Sequence, residues 1–141
     1  IENGTDVEAG FGFMEKRRSR DVVTGELFAG EVKGTAVFIV DDMVSTGGTM
    51  SRAAEACRSR GALAVFAIAT HGLFSKTADT LLLNQNFDRI VVSDSISAAA
   101  QARFDYPQAP LTVVPTGPLF AAAIKRLSTH GSISDLLGFE D

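Results

Sequence analysis

The sequence predicts an α/β domain with a mainly parallel sheet flanked by helices. Continuous apolar stretches of strand length recur along the 141-residue chain, and stretches with helical periodicity lie between them. The strands are apolar throughout rather than alternating between polar and apolar residues, as is typical of parallel sheets that are buried on both faces. We find no internal repeat and no low-complexity tract, which is consistent with one α/β domain.

The strand predictions rest on short runs that are rich in apolar residues. In chain order they are Phe11–Glu15, Ala36–Val40, Leu63–Ala69, Arg89–Val92 and Leu111–Val114. The segment Val22–Ala29 alternates weakly around Thr24-Gly25, which predicts a mobile hairpin.

Three stretches between or after the strands are predicted to be helices. An apolar stripe at positions i, i+3, i+4 and i+7 predicts a helix over Thr49–Arg60, and Gly61 ends it. The stripe consists of Met50, Ala53, Ala54 and Cys57. A second helix is predicted over Ser75–Asn84. Pro118 marks the start of a third helix over Leu119–Leu127, because proline is favoured in the first turn.

Composition limits the classes of function. Hydrophobic residues make up 45% of the chain, which is enough to bury the core of one domain. The formal net charge of −4 argues against a nucleic-acid partner, since such binders normally carry a basic excess. No apolar run approaches the roughly 20 residues that cross a bilayer, so no membrane association is expected. The one cysteine excludes an intrachain disulfide and fits a reducing, cytoplasmic compartment.

The stretch Val37–Cys57 carries the clearest functional signal. An apolar strand ends in the acid pair Asp41-Asp42, a turn rich in hydroxyl groups and glycine follows, and an amphipathic helix begins. Ligands of parallel α/β sheets bind beyond the carboxyl ends of the strands, which is where this turn is expected. We call the turn residues the cradle: Ser45, Thr46, Gly47, Gly48 and Thr49.

The cradle has the composition of a phosphate site. Gly47 and Gly48 lack side chains, so backbone N–H groups can approach an anion closely. Thr46 and Thr49 add hydroxyl donors, and the helix directs its positive end at the same point. The carboxylates before it can accept hydrogen bonds from a sugar diol or meet a metal or a basic neighbour. The turn alone is also typical of an ordinary β–turn–α connection, but the acid pair and the buried strand favour a ligand site.

Several segments resemble one family. Val37–Met50 is similar to the phosphoribosyl-diphosphate motif of type I phosphoribosyltransferases and of ribose-phosphate pyrophosphokinases. Glu15–Arg20 resembles the basic segment that precedes the flexible loop of the pyrophosphokinases. The segments that also follow that family in order are Ala69–Leu73, Val91–Ile96, Gly117–Leu119 and Ser132–Ser134. The basic segment and the C-terminal segments favour the pyrophosphokinase branch.

The resemblance implies an activity in nucleotide biosynthesis, in which ATP gives its β,γ-diphosphate to the anomeric hydroxyl of ribose 5-phosphate. It implies that Ser45–Thr49 holds the 5-phosphate and that Asp41 and Asp42 bind the ribose hydroxyls. It also implies that Lys16 and Arg18 reach the transferring phosphates, which suits a reaction that needs positioned positive charge. Mg²⁺ with ATP and a homo-oligomer are further implications of the family, and no metal ligand in this chain is assigned.

The resemblance also predicts the domain organisation. Residues 1–141 are expected to form a partial C-terminal ribose-5-phosphate-binding domain, with Lys16–Gly34 as its basic segment and flexible loop. The family's N-terminal half and its pyrophosphate-binding loop have no counterpart in the sequence. We therefore expect the chain to start partway through a longer protein and to be inactive by itself.

Two alternatives to the diphosphokinase remain open. Ser45 occupies a position where many pyrophosphokinases have Asp, which keeps a hydrogen-bonding group but removes a negative charge beside the sugar. A type I phosphoribosyltransferase acting on a nucleobase would share the acid pair and the cradle without needing Lys16 and Arg18. A non-catalytic regulatory homologue that binds phosphoribosyl compounds is the other alternative. The basic segment, for its part, could be only a solvated charge cluster.

Three further residues are weighed by their place in the predicted elements. His71 follows a strand at the ligand edge, and a structural role in a turn is favoured over acid–base chemistry. Cys57 lies on the apolar helical stripe and is predicted to be a buried, inert thiol. Asp94 lies at another strand exit, and the sequence indicates no partner for it.

Overall fold

A computed structural model of the chain describes residues 10, 13–15, 27–75, 78–98, 102 and 105–136. Its strands are β1 (Phe13–Glu15), β2 (Leu27–Ala29), β3 (Ala36–Val44), β4 (Ala64–Gly72), β5 (Arg89–Ser93) and β6 (Leu111–Val114). The helices whose bounds lie within the described residues are α1 (Gly48–Ser59), α2 (Asp79–Leu82) and α3 (Gly117–Ser128), followed by a 3-10 turn over Ser134–Leu136. The predicted α/β class with a parallel sheet is confirmed, since β3, β4, β5 and β6 pair in parallel in that order.

β3 is longer than predicted, and this changes where the acid pair lies. Its parallel pairing with β4 continues to the register pair Val44 and Gly72. Asp41 and Asp42 therefore lie inside the second half of the strand rather than just after it. The polar side chains ended the apolar pattern, but the backbone hydrogen bonds of a strand do not depend on side-chain polarity.

The second helix is much shorter than predicted. Of the span Ser75–Asn84, only Asp79–Leu82 is helical among the described residues. The Ser75 amide donates to the Ser45 carbonyl at 3.0 Å, and the Ser75 carbonyl accepts from the Ala78 amide at 2.8 Å, so a turn that is bonded to the cradle precedes this helix. The third predicted helix is confirmed as α3, with proline in its first turn.

The hairpin prediction is only partly covered by the described residues. β2 pairs antiparallel with β1, with Phe13 opposite Ala29 and Glu15 opposite Leu27. The proposed turn at Thr24-Gly25 lies outside the described residues. Among the described residues, the partner of Leu27–Ala29 is the strand Phe13–Glu15.

The core lies between one face of the sheet and α1. Odd-numbered residues of β3, such as Val37 and Ile39, pack against the buried hydrophobic cluster to which Ala54 and Cys57 of the helix belong. Central strands contribute Val65 and Ile90, both with 0% exposure. α2 adds two fully buried leucines, Leu81 and Leu82, and contacts α1. The helix that follows the cradle is therefore held rigidly on the sheet.

The opposite face of the sheet is more open than the sequence predicts. Phe38 and Val40 of β3 are 60% and 71% exposed, and Phe38 stacks on Phe66 with ring centroids 5.0 Å apart. Fully apolar strands predict burial on both faces. Within the described part of the chain, α1 covers one face, and no residue of α3 is buried.

The end of α1 follows the prediction. Gly61 has φ of 88°, its amide donates to the Arg58 carbonyl at 2.9 Å, and the Ala62 amide donates to the Cys57 carbonyl at 3.1 Å. This pair of bonds is the Schellman motif, which favours glycine at the position with positive φ.

Candidate functional site

The cradle forms a tight turn between β3 and α1. Gly47 caps the helix with φ of 73° and ψ of 0°, a left-handed conformation that glycine adopts without strain. The turn is held from outside by the segment after β4. The Leu73 amide donates to the Val44 carbonyl at 2.8 Å, and the Ser75 amide donates to the Ser45 carbonyl at 3.0 Å. These bonds fix the backbone of the cradle in place.

The backbone amides of the first helical turn are available to a ligand. The first helical hydrogen bond runs from the Ser51 amide to the Gly47 carbonyl at 2.9 Å. The Gly48 amide makes only a long contact of 3.5 Å with Thr46 Oγ1. Among the described residues, the amides of Thr49 and Met50 have no hydrogen-bond acceptor. Free amides at the positive end of a helix form a general anion-binding arrangement.

A cavity of about 180 Å³ opens beside these amides. It is lined by Asp41, Met43, Val44, Ser45, Thr46, Gly47, Gly48, Thr49 and Met50. Asp42 is not among these residues. Because successive strand residues point to opposite faces, only one carboxylate of the acid pair faces the cavity with the cradle. The Asp42 amide donates to Asp41 Oδ1 at 2.9 Å, which orients that carboxylate.

A second polar group lies at the same edge of the sheet, one strand away. His71 is in register with Met43, and its Nδ1 is hydrogen-bonded with Ser95 Oγ at 2.8 Å. Ser93 Oγ donates to the Thr70 carbonyl at 2.6 Å and is also hydrogen-bonded with Ser95 Oγ at 2.8 Å. The bonds join the ends of β4 and β5, which agrees with the structural role predicted for the histidine.

Asp94 does have a partner, Thr116, which sequence reasoning missed. Asp94 Oδ1 accepts hydrogen bonds from Thr116 Oγ1 at 2.6 Å and from the Thr116 amide at 2.8 Å. These bonds, first from the hydroxyl and then from the amide, hold the pKa of the Asp94 carboxyl below its ordinary value. They tie the end of β5 to the residue that precedes α3. The two residues are 22 positions apart, so no local pattern could have paired them.

Cys57 is buried, as predicted. Its exposure is 1%, and burial raises the pKa of its thiol, with the charge of Arg60 acting weakly in the opposite direction. A thiol with a raised pKa is a poor nucleophile at neutral pH because little of it is ionised.

The structure brings together Asp41 and all five cradle residues, and it places Asp42 on the neighbouring position of the same strand. Lys16 and Arg18 lie outside the described residues. Within the described ranges, no three His, Cys, Asp or Glu side chains are grouped as metal ligands would be. The acid pair nevertheless has the chemistry for Mg²⁺, which is commonly held by one or two carboxylates together with substrate phosphates.

Arg52 is another residue that sequence reasoning passed over. A Cβ built on Gly48 would lie 3.6 Å from Arg52 Nη1, so the guanidinium reaches back to the first turn of α1. The i, i+4 spacing of Gly48 and Arg52 is the signal that could have indicated this approach.

Among the described helices, none is long and apolar enough to cross a membrane.

The fold and the site together define a parallel α/β domain with an anion-binding turn between a strand and a helix. The family model described as phosphoribosyl synthetase-associated domain matches residues 21–138. The chain therefore belongs to the phosphoribosyl synthetase-associated domain family, which confirms the resemblance seen in the sequence.

Known proteins of this kind are similar over most of the chain. A ribose-phosphate pyrophosphokinase from Vibrio parahaemolyticus is 40% identical over 86% of the chain, and one from Pasteurella multocida is 38% identical over 94%. The crystal structure of phosphoribosylpyrophosphate synthetase from Mycobacterium smegmatis superposes with a TM-score of 0.69 and 31% identity over 85% of the chain. The chain spans only 38% and 40% of the two relatives and 37% of the solved structure.

Proposed function

We propose that the chain is the ribose-5-phosphate-binding part of a ribose-phosphate diphosphokinase, with residues 1–141 forming part of its C-terminal domain. The observation that carries the proposal is the cradle, where free amides at the start of α1 open into the cavity lined by Asp41. Membership of the phosphoribosyl synthetase-associated family supports it. The two relatives named ribose-phosphate pyrophosphokinase support it further.

The 5-phosphate would sit on the amides of residues 46–49, with the hydroxyls of Thr46 and Thr49 as additional donors. Asp41 lines the same cavity, so its carboxylate can accept hydrogen bonds from the ribose hydroxyls. Asp42 is assigned to the diol through the resemblance of the acid pair. In this arrangement the phosphate and the sugar are recognised by different chemical groups of one strand–turn–helix unit.

The proposed reaction is an in-line transfer of a diphosphoryl group. The anomeric oxygen of ribose 5-phosphate forms a bond to the β-phosphorus of ATP, the bond from that phosphorus to the oxygen of the α-phosphate breaks, and AMP leaves with that oxygen. The anomeric hydroxyl gives its proton to solvent water. Lys16 and Arg18 are proposed to stabilise the charge on the transferring phosphates, Lys as a compact charge and Arg as a bidentate fork.

Mg²⁺ is proposed as the partner of ATP, and Asp41 and Asp42 are the residues of this chain that would contact it. Bound there, it would neutralise phosphate charge during the transfer. The proposal also includes a homo-oligomer, as the family resemblance implies. It places the protein in the cytoplasm, because one buried free cysteine suits a reducing compartment.

Calorimetry with ribose 5-phosphate tests the binding part of the proposal. We expect the wild-type protein to bind, and we expect Thr49→Val to weaken binding about fivefold because one hydroxyl donor to the phosphate is lost. Asp41→Asn should weaken it through loss of the carboxylate. Thr80→Val, at an exposed position of α2, is the matched control and should leave binding unchanged. A folded wild-type protein that does not bind ribose 5-phosphate would rule out the proposal.

The products separate the alternatives. The diphosphokinase releases AMP from ATP and ribose 5-phosphate, whereas a phosphoribosyltransferase consumes phosphoribosyl diphosphate together with a nucleobase. In the full-length enzyme with its ATP site, Lys16→Ala should lower turnover on the order of a hundredfold and leave ribose 5-phosphate affinity unchanged, since Lys16 is proposed to act on the transferring phosphates. Unchanged turnover would contradict that role. Binding without turnover in the enzyme assembled with its ATP site would favour the non-catalytic homologue that Ser45 leaves open.

A further inference from the structure

We propose that Arg52 is a further phosphate-binding residue of the cradle, which supplies a positive side-chain charge to the bound phosphate monoester. This inference rests on the proposed function, because it takes the cradle to be a phosphate site. It adds a residue that lies outside the motif on which the family resemblance was based.

The position of Arg52 follows from helix geometry. Helical side chains lean toward the N-terminus, so a long side chain covers the turn before its own Cα. Arg52 lies four residues after Gly48, and its Nη1 is 3.6 Å from a Cβ built on Gly48. The same Cβ would lie 3.8 Å from Thr46 Oγ1. The guanidinium therefore lies over the turn whose amides and hydroxyls form the cradle.

Gly48 is what leaves this approach open. A methyl group there would be in ordinary van der Waals contact with the guanidinium, and any longer side chain would occupy the same space. The first turn of α1 contains no acidic residue. Glycine at the first helical position therefore leaves the backbone amide accessible and leaves space for the Arg52 side chain.

The charge balance of the site makes a side-chain cation useful. The partial positive charge of a helix N-terminus is about half an elementary charge, and the carboxylate of Asp41 lines the same cavity. A phosphate dianion would need more positive charge than the helix alone provides. A guanidinium within one helical turn lies inside the Debye length at physiological salt, about 8 Å, so its charge reaches the ligand. Arg52 is exposed, which makes this contribution sensitive to salt.

The other basic residues of the helix lie at its opposite end. Arg58 donates to the carbonyls of Leu63 and Asn86, and Arg60 donates to the Ala56 carbonyl at 3.0 Å. Arg60 is eight residues beyond Arg52, which is about 12 Å along the helix axis. Its removal changes the net charge of the protein by the same amount but at a distance where salt screens it, so it is a matched control.

The test is a calorimetric titration of ribose 5-phosphate, and separately of inorganic phosphate, into wild type, Arg52→Gln, Arg52→Lys and Arg60→Gln. Each titration is made at about 100 and about 500 mM NaCl, where the Debye length is about 10 Å or less. We expect Arg52→Gln to weaken binding of both ligands about three- to tenfold at low salt and less at high salt. Arg52→Lys should retain part of the affinity, and Arg60→Gln should bind as the wild type does.

Equal affinity of Arg52→Gln and wild type at low salt would overturn the inference while leaving the proposed function intact. An equal loss in Arg60→Gln would also overturn it, because the effect would then be one of net charge. No binding of ribose 5-phosphate by folded wild type would remove the proposed function, and the inference with it. Thermal unfolding of each variant confirms that binding is compared between folded proteins, as expected for substitutions at exposed positions.

Discussion

Gly47 lies directly against Leu81, and this contact joins the cradle to the core. A Cβ added to Gly47 would overlap the Leu81 Cβ and would lie 2.9 Å from its Cγ. Leu81 is fully buried in α2 and has no room to withdraw. Gly47 also has φ of 73°, which side chains other than that of glycine rarely adopt. The turn that would hold a phosphate is therefore shaped by the hydrophobic core behind it.

We predict that Gly47→Ala lowers the free energy of unfolding by about 1–3 kcal/mol, because it combines overpacking with backbone strain. Gly48→Ala is the matched control. Its Cβ would meet nothing closer than 3.6 Å, and alanine is a better helix former, so its stability should be unchanged or higher. Urea unfolding followed by circular dichroism measures both. Equal destabilisation by the two substitutions would contradict the assigned contact.

The bond between Asp94 and Thr116 predicts a pH dependence. Its hydrogen bonds hold the pKa of Asp94 in the folded protein below the ordinary value of 3.8. The stabilisation is therefore complete above the pKa of the unfolded chain and is lost as the pH falls through the lower folded value. Carboxyl carbon NMR should show Asp94 titrating below pH 3.8.

Two substitutions at Thr116 test the cause of that shift. Thr116→Val removes the hydroxyl donor and keeps the shape, so the pKa of Asp94 should move back toward its ordinary value. Thr116→Ser keeps the donor and should preserve the low pKa. An unchanged titration of Asp94 in Thr116→Val would show that the hydroxyl bond is not the main cause.

Cys57 is predicted to be slow to react. Its thiol is buried and its pKa is raised by that burial, so the thiolate is both scarce and inaccessible in the folded protein. Reaction with a coloured disulfide reagent should accelerate on the order of a hundredfold when urea unfolds the chain. The double variant Cys57→Ala, Ser59→Cys moves the thiol to an exposed position of the same helix and should react quickly without urea. A fast reaction of native Cys57 would refute the prediction.

Arg58 joins the end of α1 to two strands. Its guanidinium donates to the Leu63 carbonyl at 2.8 Å, the Asn86 carbonyl at 3.0 Å and Asp88 Oδ2 at 2.6 Å. Lysine cannot reproduce this planar set of bonds, so Arg58→Lys should cost about 1–2 kcal/mol of unfolding free energy.

Arg60→Lys is the control for Arg58→Lys, because the Arg60 guanidinium donates to the Ala56 carbonyl only four residues back in the chain. Its effect in urea unfolding should be within about 0.5 kcal/mol of the wild type. If both substitutions destabilised the protein equally, the bonds to Leu63, Asn86 and Asp88 would not be the reason.

Local patterns were sufficient where one physical cause acts over a few residues. The apolar run Leu111–Val114 predicted β6 with its observed bounds, and Gly61 predicted the end of α1. The bounds of strands and helices were predicted less accurately where a contact between residues far apart in the chain determines them. Pairing with β4 carries β3 past its two carboxylates, and the segment after β4 is bonded to Val44 and Ser45 before the short helix α2 begins.

The sequence by itself determined the class of the fold, the cradle and the family. All three are written in contiguous residues whose spacing is read directly as strand, turn and helix. Only the tertiary structure decided that Asp41 and not Asp42 lines the cavity, that Thr116 meets Asp94, and that Leu81 excludes any side chain from Gly47. The physical reason is that strand orientation and packing bring together residues that are far apart in the chain, and no local pattern records which of them will meet.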